Sequence, residues 1–225
     1  MQFRKGSFLI FFASLTIQAQ SPPPLPTWQD EIAKNFAPYH QLTTADFPIN
    51  DKVHPDTAFW VSPFLHYYYH VLEKSTPGGV VYAYVTQWTI FSGLDKNETS
   101  RRSRARNLKE DLPYAQALLD LNEIWARQMA ALAPGEFPGG RGDNFAAARN
   151  DLDARVKAFC RERYKPFEIE LEAFVKEAKR GENKEKVREL SAAIRKRLDA
   201  IPLISAASAA PTINTTPSPT STSTP

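Results

Sequence analysis

The chain has one cysteine and four histidines in 225 residues, and each scarcity excludes some chemistry. A lone thiol, Cys160, cannot close an intramolecular disulfide even in an oxidising compartment. No His follows His70. An H-E-x-x-H motif, in which two imidazoles one helical turn apart and an adjacent Glu build a zinc site, therefore cannot occur in the rest of the chain. An excess of one charge is also missing. Lys plus Arg number 28 against 25 Asp plus Glu, and without Arg4 and Lys5 the balance is 26 against 25, or +1. Nothing in that balance requires a nucleic-acid partner. The apolar run at residues 8–17 (FLIFFASLTI) is too short to span a bilayer.

What is present begins with that run. Arg4 and Lys5, the apolar stretch and the small and polar residues around Ala19 read as a secretory signal over residues 1–19. The expectation is a secreted or periplasmic protein with no membrane span once the leader is removed. No Cys lies near the cleavage point, which argues against a lipid anchor. Residues 20–27 contain SPPPLP, a polyproline-type spacer. Residues 206–225 are Ala, Ser, Thr and Pro without charge and with almost no large apolar side chain, so a disordered tail is expected. Asn97-Glu98-Thr99 and Asn214-Thr215-Thr216 fit a glycan acceptor pattern, and in a bacterial chain both read as chance. Residues 28–205 remain for a single domain.

That domain changes character along its length. Residues 57–71 (TAFWVSPFLHYYYHV) and 80–91 (VVYAYVTQWTIF) are rich in aromatic and β-branched side chains around Pro77-Gly78-Gly79. They predict two antiparallel strands, with a third near residues 42–47. From Asn107 the apolar residues recur every three or four positions: Leu108, Leu112, Ala115, Leu119, Ala126 and Met129, with Leu118, Leu121 and Trp125 widening the stripe. A first helix follows, then a loop at residues 133–143 (APGEFPGGRGD). A second helix is expected from Phe145 towards Arg180, kinked or interrupted by Pro166, with Gly181 as its C-cap. A third covers residues 184–201. The fold class is α+β: a small antiparallel or mixed N-terminal sheet followed by a helical C-terminal half.

Several letters invite function and have plainer readings. Arg141-Gly142-Asp143 spells a cell-adhesion triplet but sits in a Gly-rich turn. Arg101, Arg102, Arg104, Arg106 and Lys109 form a basic run that reads as a solvated connector, with an anionic surface as the functional alternative. Cys160 lies between charged residues in KAFCRER, with no later His to serve as its base. It reads as a small half-buried thiol.

The most informative stretch is residues 113–127, PYAQALLDLNEIWAR. Gln116, Asp120, Glu123, Ala126 and Arg127 fall on the pattern H-E-Q-x-H-F-D-I-x-E-x-x-A-R, and Leu121 and Trp125 keep its apolar character. Upstream, Leu42, Thr43, Asp46 and Phe47 match Leu-Thr-x-x-Asp-Phe, followed by aromatic strands like residues 80–88. Downstream, residues 174–181 (FVKEAKRG) compare with Y-D-x-x-T-x-H-G, ahead of Asn183-Lys184-Glu185 for N-K-E. In this order the pieces resemble, over residues 42–201, a bacterial family of unknown function described as predicted secreted zinc-dependent proteases. The resemblance implies a zincin-like arrangement. It also fails at every metal position: Tyr114, Ala115 and Leu118 stand where the two His and the Glu belong, and Arg180 where a third ligand would be. Tyr, Ala and Leu there can neither hold zinc nor move a proton usefully, and Arg keeps its proton and repels a dication.

The resemblance thus implies an exported, catalytically inactive relative without a cofactor, acting as a binding or envelope-associated module. Its former cleft would be lined by Tyr114, Leu118, Glu123 and Arg180, and its partner would be a peptide or an anionic envelope component. Asp120, Glu123 and Arg127 are retained positions of the scaffold helix. A plainer role for Arg180 is pairing with Glu123, Asp120 or Glu177. The alternative function is an active metal-dependent hydrolase with zinc relocated to His66 and His70, completed by Glu73 or His54. Against it, a strand separates residues four apart by about 13 Å.

Overall fold

The structure, a computed structural model, describes residues 34–52, 59–105 and 108–202. The expected leader, spacer and tail lie outside the described residues, as does His54. Among the described residues six strands and three long helices follow in order. They are β1 (Phe36–Pro38), β2 (Phe59–Trp60), β3 (Pro63–Ser75), β4 (Val81–Asp95), β5 (Ser100–Arg101), α1 (Leu108–Ala130), β6 (Gly140–Gly142), α2 (Phe145–Glu177) and α3 (Lys184–Ala200). An antiparallel sheet followed by a helical half is the α+β architecture expected from the periodicity.

β3 and β4 form the hairpin that the aromatic runs predict, from Pro63 opposite Leu94 to Ser75 opposite Val81. Gly79 takes φ +80° in the turn, and its amide donates to the Thr76 carbonyl at 2.9 Å. The alternation then sorts the side chains by face. Tyr67, Tyr69, Val71, Val81, Ala83, Val85 and Trp88 turn inward onto the helices. His66, Tyr68, His70, Leu72 and Tyr84 occupy the other face, and Leu72 and Tyr84 are 44% and 42% exposed.

The third strand differs from expectation. Residues 42–47 form no strand but a 3-10 turn at Thr44–Asp46, closed by a capping box in which Thr43 and Asp46 satisfy each other's backbone amides. Leu42 and Phe47, which looked like strand residues, are instead buried apolar anchors on either side of the turn. The place beside β4 goes to β1, with Phe36 opposite Asp95. Gly93 is required there, because a Cβ would come 1.9 Å from the Ala37 carbonyl oxygen. The expected strand over 57–71 is also split: β2 pairs with β5 in a separate two-stranded sheet, and β3 starts only at Pro63.

The loop at 133–143 contains a strand that its Pro and Gly content hides. β6 pairs with β4, Tyr82 opposite Arg141. A Cβ on Gly140 would sit 2.3 Å from the Ala148 carbonyl oxygen, and one on Gly142 would sit 2.5 Å from the Ala148 amide. The glycines of the Arg141-Gly142-Asp143 triplet and its neighbour thus let α2 lie directly on a strand. α2 runs unbroken through Pro166. Pro166 and Glu162, whose carbonyl it leaves without an amide donor, are both exposed, so water meets the loss. Gly181 is not the C-cap expected of α2: the helix stops at Glu177 with Ala178 as its C-cap, and Lys179, Arg180 and Gly181 (φ 47°, 55° and 95°) form a left-handed 3-10 turn after it. Asn183 then caps α3 by accepting from the Lys186 amide at 3.2 Å.

α1 is the centre of the domain, with both faces covered. One side joins Trp88, Leu152, Val156 and Val187 in the larger apolar cluster. The other joins Leu42, Phe47, Val61 and Leu94 in a smaller one, and Leu118 packs against both.

Candidate functional site

The four positions where the resemblance loses its metal chemistry all lie at or near the first turns of α1. Tyr114 is 8% exposed. Its ring stacks on Phe174 at 5.4 Å and meets Phe59 edge-on at 6.4 Å. Gly181 packs against the same ring, where a Cβ would come 3.1 Å from Tyr114 Cγ. Arg180 precedes that glycine in a left-handed conformation (φ 55°). Burial raises the Tyr114 phenol above its ordinary value, and the Arg180 charge partly opposes the rise. The fold therefore does bring Tyr114 and Arg180 together from opposite ends of the helical half.

It does not gather the other two around them. Ala115 is 0% exposed, inside the smaller cluster with Leu42, Phe47 and Leu119. Leu118 is half-buried between the clusters. Glu123 is nine residues past Tyr114, about 13 Å along the helix axis. A groove lined jointly by Tyr114, Leu118, Glu123 and Arg180 is not what these positions form. Of the three carboxylates expected for Arg180 (Glu123, Asp120 or Glu177), Asp120 and Glu123 pair with other arginines, Arg195 and Arg127.

Asp120 is 2% exposed and is the hub of a network of which the sequence indicated only the α1 members. Its Oδ1 accepts from Tyr39 Oη at 2.8 Å and from Gln116 Nε2 at 2.7 Å. Its Oδ2 lies 3.1 Å from Arg195 Nη2 on α3. Arg195 also donates to Tyr39 Oη at 2.9 Å and to Gln41 Oε1 at 3.0 Å. Gln116 Oε1 accepts in turn from the Leu42 amide and Gln41 Nε2. One turn on, Glu123 takes Arg127 Nε at 2.8 Å and the Ser92 hydroxyl of β4. Arg127 donates onward to the carbonyls of Leu198 and Ile201 and lies 5.9 Å from the centre of the Tyr39 ring. Burial and the neighbouring Asp120 carboxylate raise the Tyr39 phenol well above its usual range, so it stays a donor. A buried carboxylate with this many donors is a clamp between elements. A sequence signal existed: Gln116, Asp120, Glu123 and Arg127 recur at helical steps inside an apolar stripe. Their partners Tyr39, Gln41 and Arg195 carried none.

The relocated zinc set is divided by the sheet. His66 and His70 share one face of β3, opposite Phe91 and Gln87. His66 stacks on Phe64 at 6.2 Å, and His70 Nδ1 lies 3.4 Å from Tyr68 Oη. Burial pushes both imidazoles below their ordinary value. Glu73 belongs to the other face, paired with Arg149 of α2. Among the described residues no three His, Cys, Asp or Glu side chains are grouped to hold a metal.

The remaining candidates have structural partners. Arg101 donates to the Phe47 carbonyl and Arg102 to the Asp51 carbonyl, so two of the basic run hold the loop beside β5. Cys160 is buried, and burial raises its thiol to about 12. In the Asn97-Glu98-Thr99 triplet, the Thr99 hydroxyl is buried and accepts from the Ser62 amide at 3.1 Å.

No family model, curated protein or solved structure matches this chain.

Proposed function

We propose that this protein is an exported, non-catalytic binding module related in form to the secreted zinc-protease-like family it resembles, with α1 kept as a scaffold helix. The observation that carries this is the burial of Ala115 in the apolar core, at the position where the resemblance expects a general base. A side chain there meets Leu42, Phe47 and Leu119, not a substrate. Tyr114 supports the same reading by stacking on Phe174, and Arg180 adds fixed positive charge beside it. The partner fitting this reading is a peptide or an anionic component of the cell envelope, and export rests on residues 1–19.

Metal analysis of the purified chain tests the proposal together with a peptidase assay. Zinc well below one per chain and no hydrolysis are expected. Stoichiometric zinc that disappears in His66→Ala would replace this reading with the relocated hydrolase.

A further inference from the structure

The face of the sheet turned away from the helices carries two rows of side chains at its hairpin end. Register sets Lys74, Tyr82 and Arg141 side by side in the first, on β3, β4 and β6. Tyr82 stands between Val81 and Ala83, both turned into the core, so alternation puts all three side chains of this row on the outer face. Strand spacing sets the Lys74 and Arg141 backbones about 10 Å apart, with Tyr82 between them. In the next row Leu72 stands opposite Tyr84, and the two are 44% and 42% exposed. Gly139, just ahead of β6, lies against the Tyr84 ring, where a Cβ would come 3.2 Å from Cε1. The Tyr82 and Tyr84 rings lie 15° from parallel, with centres 6.3 Å apart.

Charge on these rows is of one sign. Lys74 and Arg141 are exposed, and neither side chain has an acidic partner among the described residues. Glu73, between Leu72 and Lys74, is turned the other way to Arg149 of α2. Asp151 takes the Arg141 backbone amide and the Arg155 side chain, and Asp143 lies past the end of β6. Two cations without a carboxylate fit an anionic partner. The exposed leucine and tyrosines beside them fit a partner with an apolar layer just under its charge. A free anion would leave Leu72 and Tyr84 in water, and an acidic peptide would find a flat face with no groove for its side chains. An anionic bilayer offers both layers: its phosphates attract Lys and Arg, and tyrosine rings settle at the headgroup boundary.

We propose that this face docks on an anionic phospholipid surface, with Lys74 and Arg141 against the phosphates and Leu72, Tyr82 and Tyr84 in the headgroup layer. The proposal rests on the reading of the chain as a binding module for an anionic envelope component, and it names the component and the face that meets it. α1 takes no part in the contact.

Co-sedimentation of the purified full chain with vesicles tests the docking, with circular dichroism to verify folding. One set of vesicles holds equal phosphatidylglycerol and phosphatidylcholine, and the other phosphatidylcholine alone. The chain should bind the first set far more tightly than the second and should lose that preference as salt rises. Lys74→Gln with Arg141→Gln should weaken binding about thirtyfold, the effect of two charges lost from a negative surface. Leu72→Ser with Tyr84→Ser should weaken it about tenfold or more. Lys176→Gln with Lys179→Gln, outside this face, should bind as the parent does. Equal binding to both vesicle sets, or parent-like binding by either pair of substitutions on this face, would overturn the proposal. Displacement by polyglutamate or inorganic phosphate at matched ionic strength would also overturn it, in favour of an acidic peptide or a free anion. Zinc content and peptidase activity of the same preparation report separately on the binding-module reading: a metal-free, inactive chain that ignores the vesicles overturns the docking alone.

Discussion

At the scale of single residues, Asp120 makes the strongest prediction. Its carboxylate is buried and receives Tyr39, Gln116 and Arg195. Asp120→Ala leaves those donors unmet and should cost about 3 kcal/mol of unfolding free energy in a urea titration, the usual scale for breaking a buried pair. A loss under about 1 kcal/mol would mean that water replaces the carboxylate and that the network is incidental. Gly140 offers a second test. An added methyl meets the Ala148 carbonyl and the Leu152 amide at 2.3 and 2.5 Å, and backbone cannot step aside as a side chain can. Gly140→Ala should lower stability by at least 2 kcal/mol, on the order of other overpacking changes. Gly135→Ala, with nothing within 4 Å of the new Cβ, serves as the neutral comparison. Of the residues chosen from sequence, Asp120, Glu123 and Arg127 do form one connected group. What joins Asp120 to the Glu123–Arg127 pair is Tyr39, whose hydroxyl donates to Asp120 and whose ring centre lies 5.9 Å from Arg127; it stands 81 positions from Asp120 and left no local trace.

At the scale of elements, Pro166 marks a place where α2 tolerates a broken rule. Replacing it with Ala restores an amide donor within the helix, so Pro166→Ala should raise the thermal midpoint, with a gain of about 1–3 kcal/mol. A lower midpoint would show that the Arg163 carbonyl, which accepts from Trp125 Nε1 at 3.2 Å, is better placed with proline at 166 than with alanine. The 3-10 turn at Thr44–Asp46 makes a pH prediction. Burial opposes ionisation of Asp46, but the Thr43 amide, the His40 ring and the Thr43 hydroxyl outweigh it and hold the carboxyl below its ordinary 3.8. Burial likewise opposes charging of His40, but the Pro38 carbonyl and Asp46 outweigh it and raise the imidazole above 6.5. A lowered acid contributes stability above its unfolded value and loses it as pH falls through the folded one. A raised base contributes below its unfolded value and loses it as pH rises through the folded one. The pair should therefore contribute most between pH 3.8 and 6.5. His40→Ala should lower the thermal midpoint more at pH 5.5 than at pH 8.5, and an equal loss at both would refute the pairing.

At the scale of the whole molecule, the two apolar clusters share Tyr39, Phe59 and Leu118, and α1 contributes to both. One cooperative unfolding transition is expected, with tryptophan fluorescence and far-ultraviolet dichroism superimposing. Two separated transitions would show that the 3-10 turn and β2–β5 side unfolds independently of the helical half. The β3–β4 hairpin and the three helices were legible in the residues alone, as were the single cysteine that bars an intramolecular disulfide and the want of any His after His70. Periodicity, turn residues and residue counts are local properties and survive without a fold. Long-range packing set the rest: β1 takes the place beside β4, residues 42–47 form a capped turn between two buried anchors, and a glycine-rich loop supplies β6. The same packing puts Ala115 in the core and Glu73 across the sheet from His66 and His70. Those outcomes depend on which side of an element is covered and by what, and a one-residue change of register would reverse them.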